Sequence, residues 1–127
     1  MKAKLSYDSE ADMGYIYLNA NKEISIDLTE ELEVNAFISI DIDKKKTIEG
    51  IELSADEAAG LRDLLYKGET YTKTDHPYLK TGHGFSLRIS EKAVKSRYRA
   101  SEVAFCFAED EYKGFIGIDL DIPEELS

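Results

Sequence analysis

The chain has no tryptophan, one cysteine, two prolines and two histidines in 127 residues. A lone thiol, Cys106, closes no internal disulfide, so nothing points to an oxidising compartment. No run approaches eighteen apolar residues, which leaves no hydrophobic spanning helix. The start, Met1-Lys2-Ala3-Lys4-Leu5-Ser6-Tyr7-Asp8, has no apolar signal core, and cytoplasm is the expected compartment. Gly82-His83-Gly84 is too short for a phosphate loop, and no Gly-x-Ser-x-Gly elbow occurs. No catalytic residue and no cofactor is therefore assigned.

What is present is apolar and acidic. The hydrophobic fraction is 43%, with eight Tyr and five Phe, enough for one core. The length fits a single domain, residues 1–127, divided into sub-units 1–68 and 84–127. The net charge is −10, a field that repels phosphate backbones and anionic lipids and attracts basic proteins. Nucleic acid and membrane are thus not expected partners. The stretch Arg88 to Arg99 runs against this trend, with Arg88, Lys92, Lys95, Arg97 and Arg99 opposed only by Glu91. It reads as a face for internal acid–base pairing or for an oligomer contact.

Apolar residues at every second position announce strands. They recur at Ala3-Leu5-Tyr7, Tyr15–Leu18, Ile24-Ile26-Leu28, Val34-Ala36-Ile38-Ile40-Ile42 and Ile48–Leu53, then at Phe85-Leu87-Ile89, Val103-Phe105-Phe107 and Phe115–Leu120. Short polar turns between them favour antiparallel pairing. Ser54 with Glu57 forms a capping-box pattern, Ala58, Leu61, Leu64 and Leu65 share a helical face, and Gly68 supplies a stop. A principal helix over Ser54–Gly68 follows, with a short second helix over Ser90–Val94. The expected class is α+β, a mainly antiparallel meander with one main helix. No fixed repeat is visible.

Residues 69–84 read as a long loop holding both histidines, His76 and His83, beside Asp75. Zinc takes three or four closely spaced ligands, a pattern this spacing does not match, so no metal is assigned. Asp41-x-Asp43 and Asp119-x-Asp121 each place two carboxylates on one strand face, a grouping that suits a divalent cation or paired acid chemistry. The simpler reading is the wet side of a half-buried strand. Cys106, within Val103–Phe107, reads as a small buried hydrophobe.

Four segments together resemble the bacterial family known as domain of unknown function 2283. They are Tyr7-Asp8-Ser9-Glu10-Ala11-Asp12, Tyr15-Ile16-Tyr17-Leu18, Ile40-Asp41-Ile42-Asp43 and Ile48-Glu49-Gly50-Ile51-Glu52-Leu53. The likeness spans about residues 4–56, with Gly14 and the insert Glu30–Glu33 as departures. It implies a compact β-meander followed by a helix, and no activity. Asp8 and Asp12 are expected as turn acids bonding their own backbone, and Gly50 as relief for a crowded strand. Residues 84–127 resemble the ends of some toxin-immunity proteins.

The expected function is that of a non-enzymatic cytoplasmic factor that binds a basic protein, such as a cognate nuclease toxin. The expected contacts are Glu30, Glu31 and Glu33 together with Glu109, Asp110 and Glu111. Two alternatives stand beside it: a small metal- or ligand-binding domain or enzyme using the His76–His83 loop, and a structural homo-oligomer, such as a homodimer, joined through strand edges.

Overall fold

A computed structural model describes residues 4–18, 26–58, 72–75 and 83–121. Backbone contacts group the chain into an N-terminal unit, Ala3–Glu69, and a C-terminal unit, Thr70–Ser127 with Met1–Lys2.

The N-terminal unit holds β1 (Lys4–Asp8), β2 (Met13–Tyr17), β3 (Leu28–Leu32), β4 (Asn35–Ile42) and β5 (Ile48–Ser54). All pairings are antiparallel, in the order β1-β2-β5-β4-β3. The period-2 pattern places Ile16, Ile38, Ile40, Ile51 and Leu53 in the buried core. Polar turns close the local hairpins. Asp8 accepts the amides of Glu10 (3.0 Å) and Ala11 (3.3 Å), as a turn acid does. Asp12 instead takes the Tyr7 hydroxyl.

The C-terminal unit holds β6 (Thr72–Asp75), β7 (His83–Arg88), β8 (Ser96–Ala100), β9 (Val103–Glu109) and β10 (Lys113–Asp121). Its order is β6-β7-β10-β9-β8. Leu87, Val103, Phe105, Phe107 and Ile118 form its core. The orders of the two units are the same once β6 to β10 are read as β1 to β5. The chain thus carries one topology twice, without a fixed repeat in its sequence.

The α+β expectation is overturned. The described residues are nearly all antiparallel strand, and none of them belongs to a helix of seven or more residues. Ser54 does not cap a helix. It ends β5, its hydroxyl donates to the Phe37 carbonyl (3.2 Å), and Ala55 follows in the left-handed region at φ 52°. Glu57 is buried and accepts from Asn35 Nδ2 (2.7 Å) instead of closing a capping box. Only a 3-10 turn, Ala55–Ala58, is formed, and the rest of the expected helix lies outside the described residues. The segment Ser90–Val94 is no helix either. Ser90 Oγ accepts the Lys92 amide (3.3 Å), a local turn, while Ile89 N and Lys95 N bond to Ile116 O (2.9 Å) and Phe107 O (2.8 Å).

The third strand lies further along than its pattern suggested, so three of the four residues of the insert Glu30–Glu33, those up to Leu32, are strand. The expected loop 69–84 contains β6 and the start of β7, paired with Asp75 opposite His83. His76 and the His83 side chain lie outside the described residues.

Candidate functional site

Register aligns the two units residue by residue. Gly50, in the central strand β5, pairs with Tyr17 and Asp41, and Gly117, in β10, pairs with Arg88 and Cys106. Two residues on, Glu52 pairs with Tyr15 and Ser39, and Asp119 with Ser86 and Ala104. On the outer strand Thr29 faces Asp41 as Arg97 faces Cys106, and Glu31 faces Ser39 as Arg99 faces Ala104. Directly paired residues share a sheet face, so each unit presents one polar face built at the same positions.

In the N-terminal unit this face centres on Asp41, which is only 6% exposed although its strand pattern assigns it to the wet side. Tyr15 reaches it from β2 by crossing the intervening central strand at Gly50, and its hydroxyl donates to Oδ2. Thr29 Oγ1 donates to Oδ1 (2.5 Å). The crossing is why residue 50 is glycine: a Cβ there would lie 1.9 Å from the Tyr15 hydroxyl. Burial, then the Asp41 hydrogen bond, pushes the Tyr15 phenol well above its ordinary value and keeps it a donor. Glu52 also titrates above its ordinary range, first through burial and then through the Asp41 charge. Among the described residues, neither Asp41 nor Glu52 pairs with a cation. The rings of Tyr15 and Tyr17 lie 4.4 Å apart on the same face.

In the C-terminal unit the buried carboxylate is Asp119, 2% exposed. Ser86 donates to it, as does Cys106 Sγ (3.4 Å). Arg88 grips it with two nitrogens, Nη1 to Oδ1 at 2.8 Å and Nη2 to Oδ2 at 3.2 Å. Arg97 Nε stands 3.9 Å away, and Arg99 holds Asp121 at 2.6 Å. Arg88 on β7 and Arg97 and Arg99 on β8 therefore make an internal acid–base face carried by strands rather than by a helical turn. Gly117 has φ 154°, and a Cβ there would meet the Leu87 carbonyl oxygen at 2.1 Å. The Cys106 thiol is pushed up to about 11 by burial and then by Asp119, so it stays protonated and inert.

The paired-acid readings dissolve. Asp43 Oδ1 accepts the amides of Lys45 (2.8 Å) and Thr47 (3.0 Å) at the hairpin tip, which holds its carboxyl below the usual range. Asp119 and Asp121 each hold arginine. No group of three metal-binding side chains converges among the described residues.

Of the expected contact acids, Glu30 and Glu31 are exposed on β3, which forms one edge of its sheet, and Glu33 is exposed in the turn that follows. Glu109, Asp110 and Glu111 are exposed at the β9–β10 hairpin, in the other unit. Tyr15, Tyr17, Thr29 and Glu52 were not among the expected contacts. The signal for them is the pair of matching strings Gly50-Ile51-Glu52-Leu53 and Gly117-Ile118-Asp119-Leu120.

A family model described as "Protein of unknown function (DUF2283)" matches residues 4–55, which contain all five strands of the N-terminal unit. The chain is also 33% identical over 122 residues to the uncharacterized protein YuzE of Bacillus subtilis (strain 168), covering 95% of this chain and 88% of that protein. No solved structure matches. The likeness of residues 84–127 to immunity proteins gains no support, because the relative spanning most of the chain is uncharacterised. Among the described residues, no helix is long and apolar enough to cross a membrane.

Proposed function

The chain belongs to the DUF2283 family of proteins of unknown function, and from that premise we propose that it is a cytoplasmic binding protein for a basic protein partner. The observation that carries this reading is the β3 edge. It is an outer strand with no second neighbour among the described residues, and it exposes Glu30 and Glu31, with Glu33 beyond. An edge strand offers unpaired amides and carbonyls to an extended segment, and its carboxylates select a segment rich in lysine or arginine. A net charge of −10 adds long-range attraction. The hairpin acids Glu109, Asp110 and Glu111 give a second locus, and a basic toxin is one partner that fits.

The test is affinity capture from native cells with the full chain as bait, followed by identification of what elutes in about 0.3 M salt, where exposed charge pairs are screened. A basic protein retained by the natural chain and lost when Glu30, Glu31 and Glu33 are changed to lysine supports the reading. Full retention by that variant, and by the matching Glu109, Asp110 and Glu111 variant, rejects it.

A further inference from the structure

The duplicated topology supplies an internal comparison for the N-terminal polar face. In the C-terminal unit the position beside the central glycine is Arg88, whose side chain runs across Gly117 and forks onto Asp119. The corresponding position in the N-terminal unit is Tyr17, and the counterpart of Asp119 is Glu52. The other two arginines are replaced as well, Arg97 by Thr29 and Arg99 by Glu31. One unit thus carries three guanidinium groups with Asp119 and Asp121. The other carries Asp41, Glu52 and Glu31 with no described cation paired to Asp41 or Glu52. Where the arginine stands in one unit, the other offers an aromatic ring, with a second ring 4.4 Å away. A carboxylate beside tyrosine faces is a setting that favours guanidinium, which forks onto the acid and stacks on the ring.

We propose that the Tyr15–Tyr17–Glu52 face of the N-terminal unit is the seat for an arginine side chain of the basic protein partner, filling the role that Arg88 fills from within the C-terminal unit. This rests on the binding function proposed above and names its central contact. The incoming guanidinium forks onto Glu52 and lies against Tyr17. Asp41, already held by Tyr15 and Thr29, adds its negative field from behind. The acidic edge at Glu30 and Glu31 guides the flanking chain.

The experiment titrates the full chain with the peptide acetyl-Gly-Arg-Gly-Arg-Gly-amide and follows backbone amide shifts by NMR. The same peptide with lysine, and with citrulline, the neutral isostere of arginine, serve as comparisons. Shifts centred on Tyr15, Tyr17 and Gly50–Leu53 are expected, with lysine about fivefold weaker and citrulline silent. Glu52→Gln is expected to weaken binding about tenfold, and Tyr17→Arg, which brings a guanidinium of its own, to block it as strongly. Glu91→Gln, at an exposed acid outside the proposed contacts, changes net charge equally and is expected to leave affinity within about twofold. Equal losses for Glu52→Gln and Glu91→Gln would overturn the seat, as would shifts confined to other strands. Acetyl-arginine amide binding as tightly as the peptide would also overturn it, by assigning the face to a free guanidinium compound. A captured partner that is lost with the Glu30, Glu31 and Glu33 variant but kept with Tyr17→Arg would reject the seat alone and leave the binding function standing.

Discussion

Two residues past the central glycine, one unit of this protein has Asp119 and the other has Glu52. Asp119 is enclosed, accepts from a serine and a thiol, and is neutralised by Arg88. Glu52 is half-buried, lies near a second carboxylate and has no described cation. The same frame has produced a finished ion-pair network in one copy and, in the other, a half-buried acidic cluster with no described cation on Asp41 or Glu52. The difference teaches that topology sets where a polar cluster stands, while a few side chains decide whether its charge is neutralised from within.

Arg88→Met is the hardest blow to the closed cluster. It leaves Asp119 buried without its bidentate partner, and a loss of about 3 kcal/mol is expected from urea unfolding. In the N-terminal cluster, Tyr15→Phe removes only a neutral donor to the buried Asp41, and about 1.5 kcal/mol is expected in the same assay. Equal losses would break the distinction between the clusters.

The two glycines sharpen it next. Gly117→Ala drives a methyl into the Leu87 carbonyl at an unfavourable φ, and backbone must move, with a cost of about 2.5 kcal/mol. Gly50→Ala meets only the far end of the Tyr15 side chain, which can swing away for about 1.5 kcal/mol. The swing would break the Tyr15–Asp41 bond, and the tyrosine absorbance titration should then move toward its ordinary range.

The smallest expected effect concerns pH. The carboxyl of Glu52 is held above its ordinary value of 4.5 in the folded chain. An acid whose pKa rises on folding binds its proton more tightly in the folded state. Its contribution is therefore full below the ordinary value and is lost as pH rises through the raised one. Glu52→Gln should melt higher than the natural chain near neutrality, with the gap closing as the acid is protonated. A gap that widened on acidification would contradict the shared negative environment of Asp41 and Glu52.

The sheet was legible because alternation of apolar residues is strong at Ile38, Ile40 and Ile42 and at Val103, Phe105 and Phe107. The strand Ser96–Ala100 was not, since Arg97, Tyr98 and Arg99 carry too little apolar contrast for a period to stand out. The helix expected from Ser54 failed because a serine and a glutamate three apart suit a cap equally well when their side chains serve strand neighbours. Asp41 and Asp119 defeated the wet-face rule, because hydroxyls, a thiol and arginines from adjacent and next-but-one strands satisfy them under cover. Such partners lie 13 to 33 residues away in the chain for Cys106 and Ser86 around Asp119, beyond any local pattern. The N-terminal cluster was half visible. Its tyrosine, aspartate and Gly-Ile-Glu strings each stand out along the chain, but their meeting on one face depends on register that a sequence does not display.

The central strand of each sheet is also its last in chain order. During synthesis the outer hairpins can form early, but the two halves of a sheet stay unjoined until β5, or later β10, leaves the ribosome. The N-terminal sheet has all its strands by Ser54, so the surface proposed for partner binding can assemble while the arginine-bearing unit is still being made.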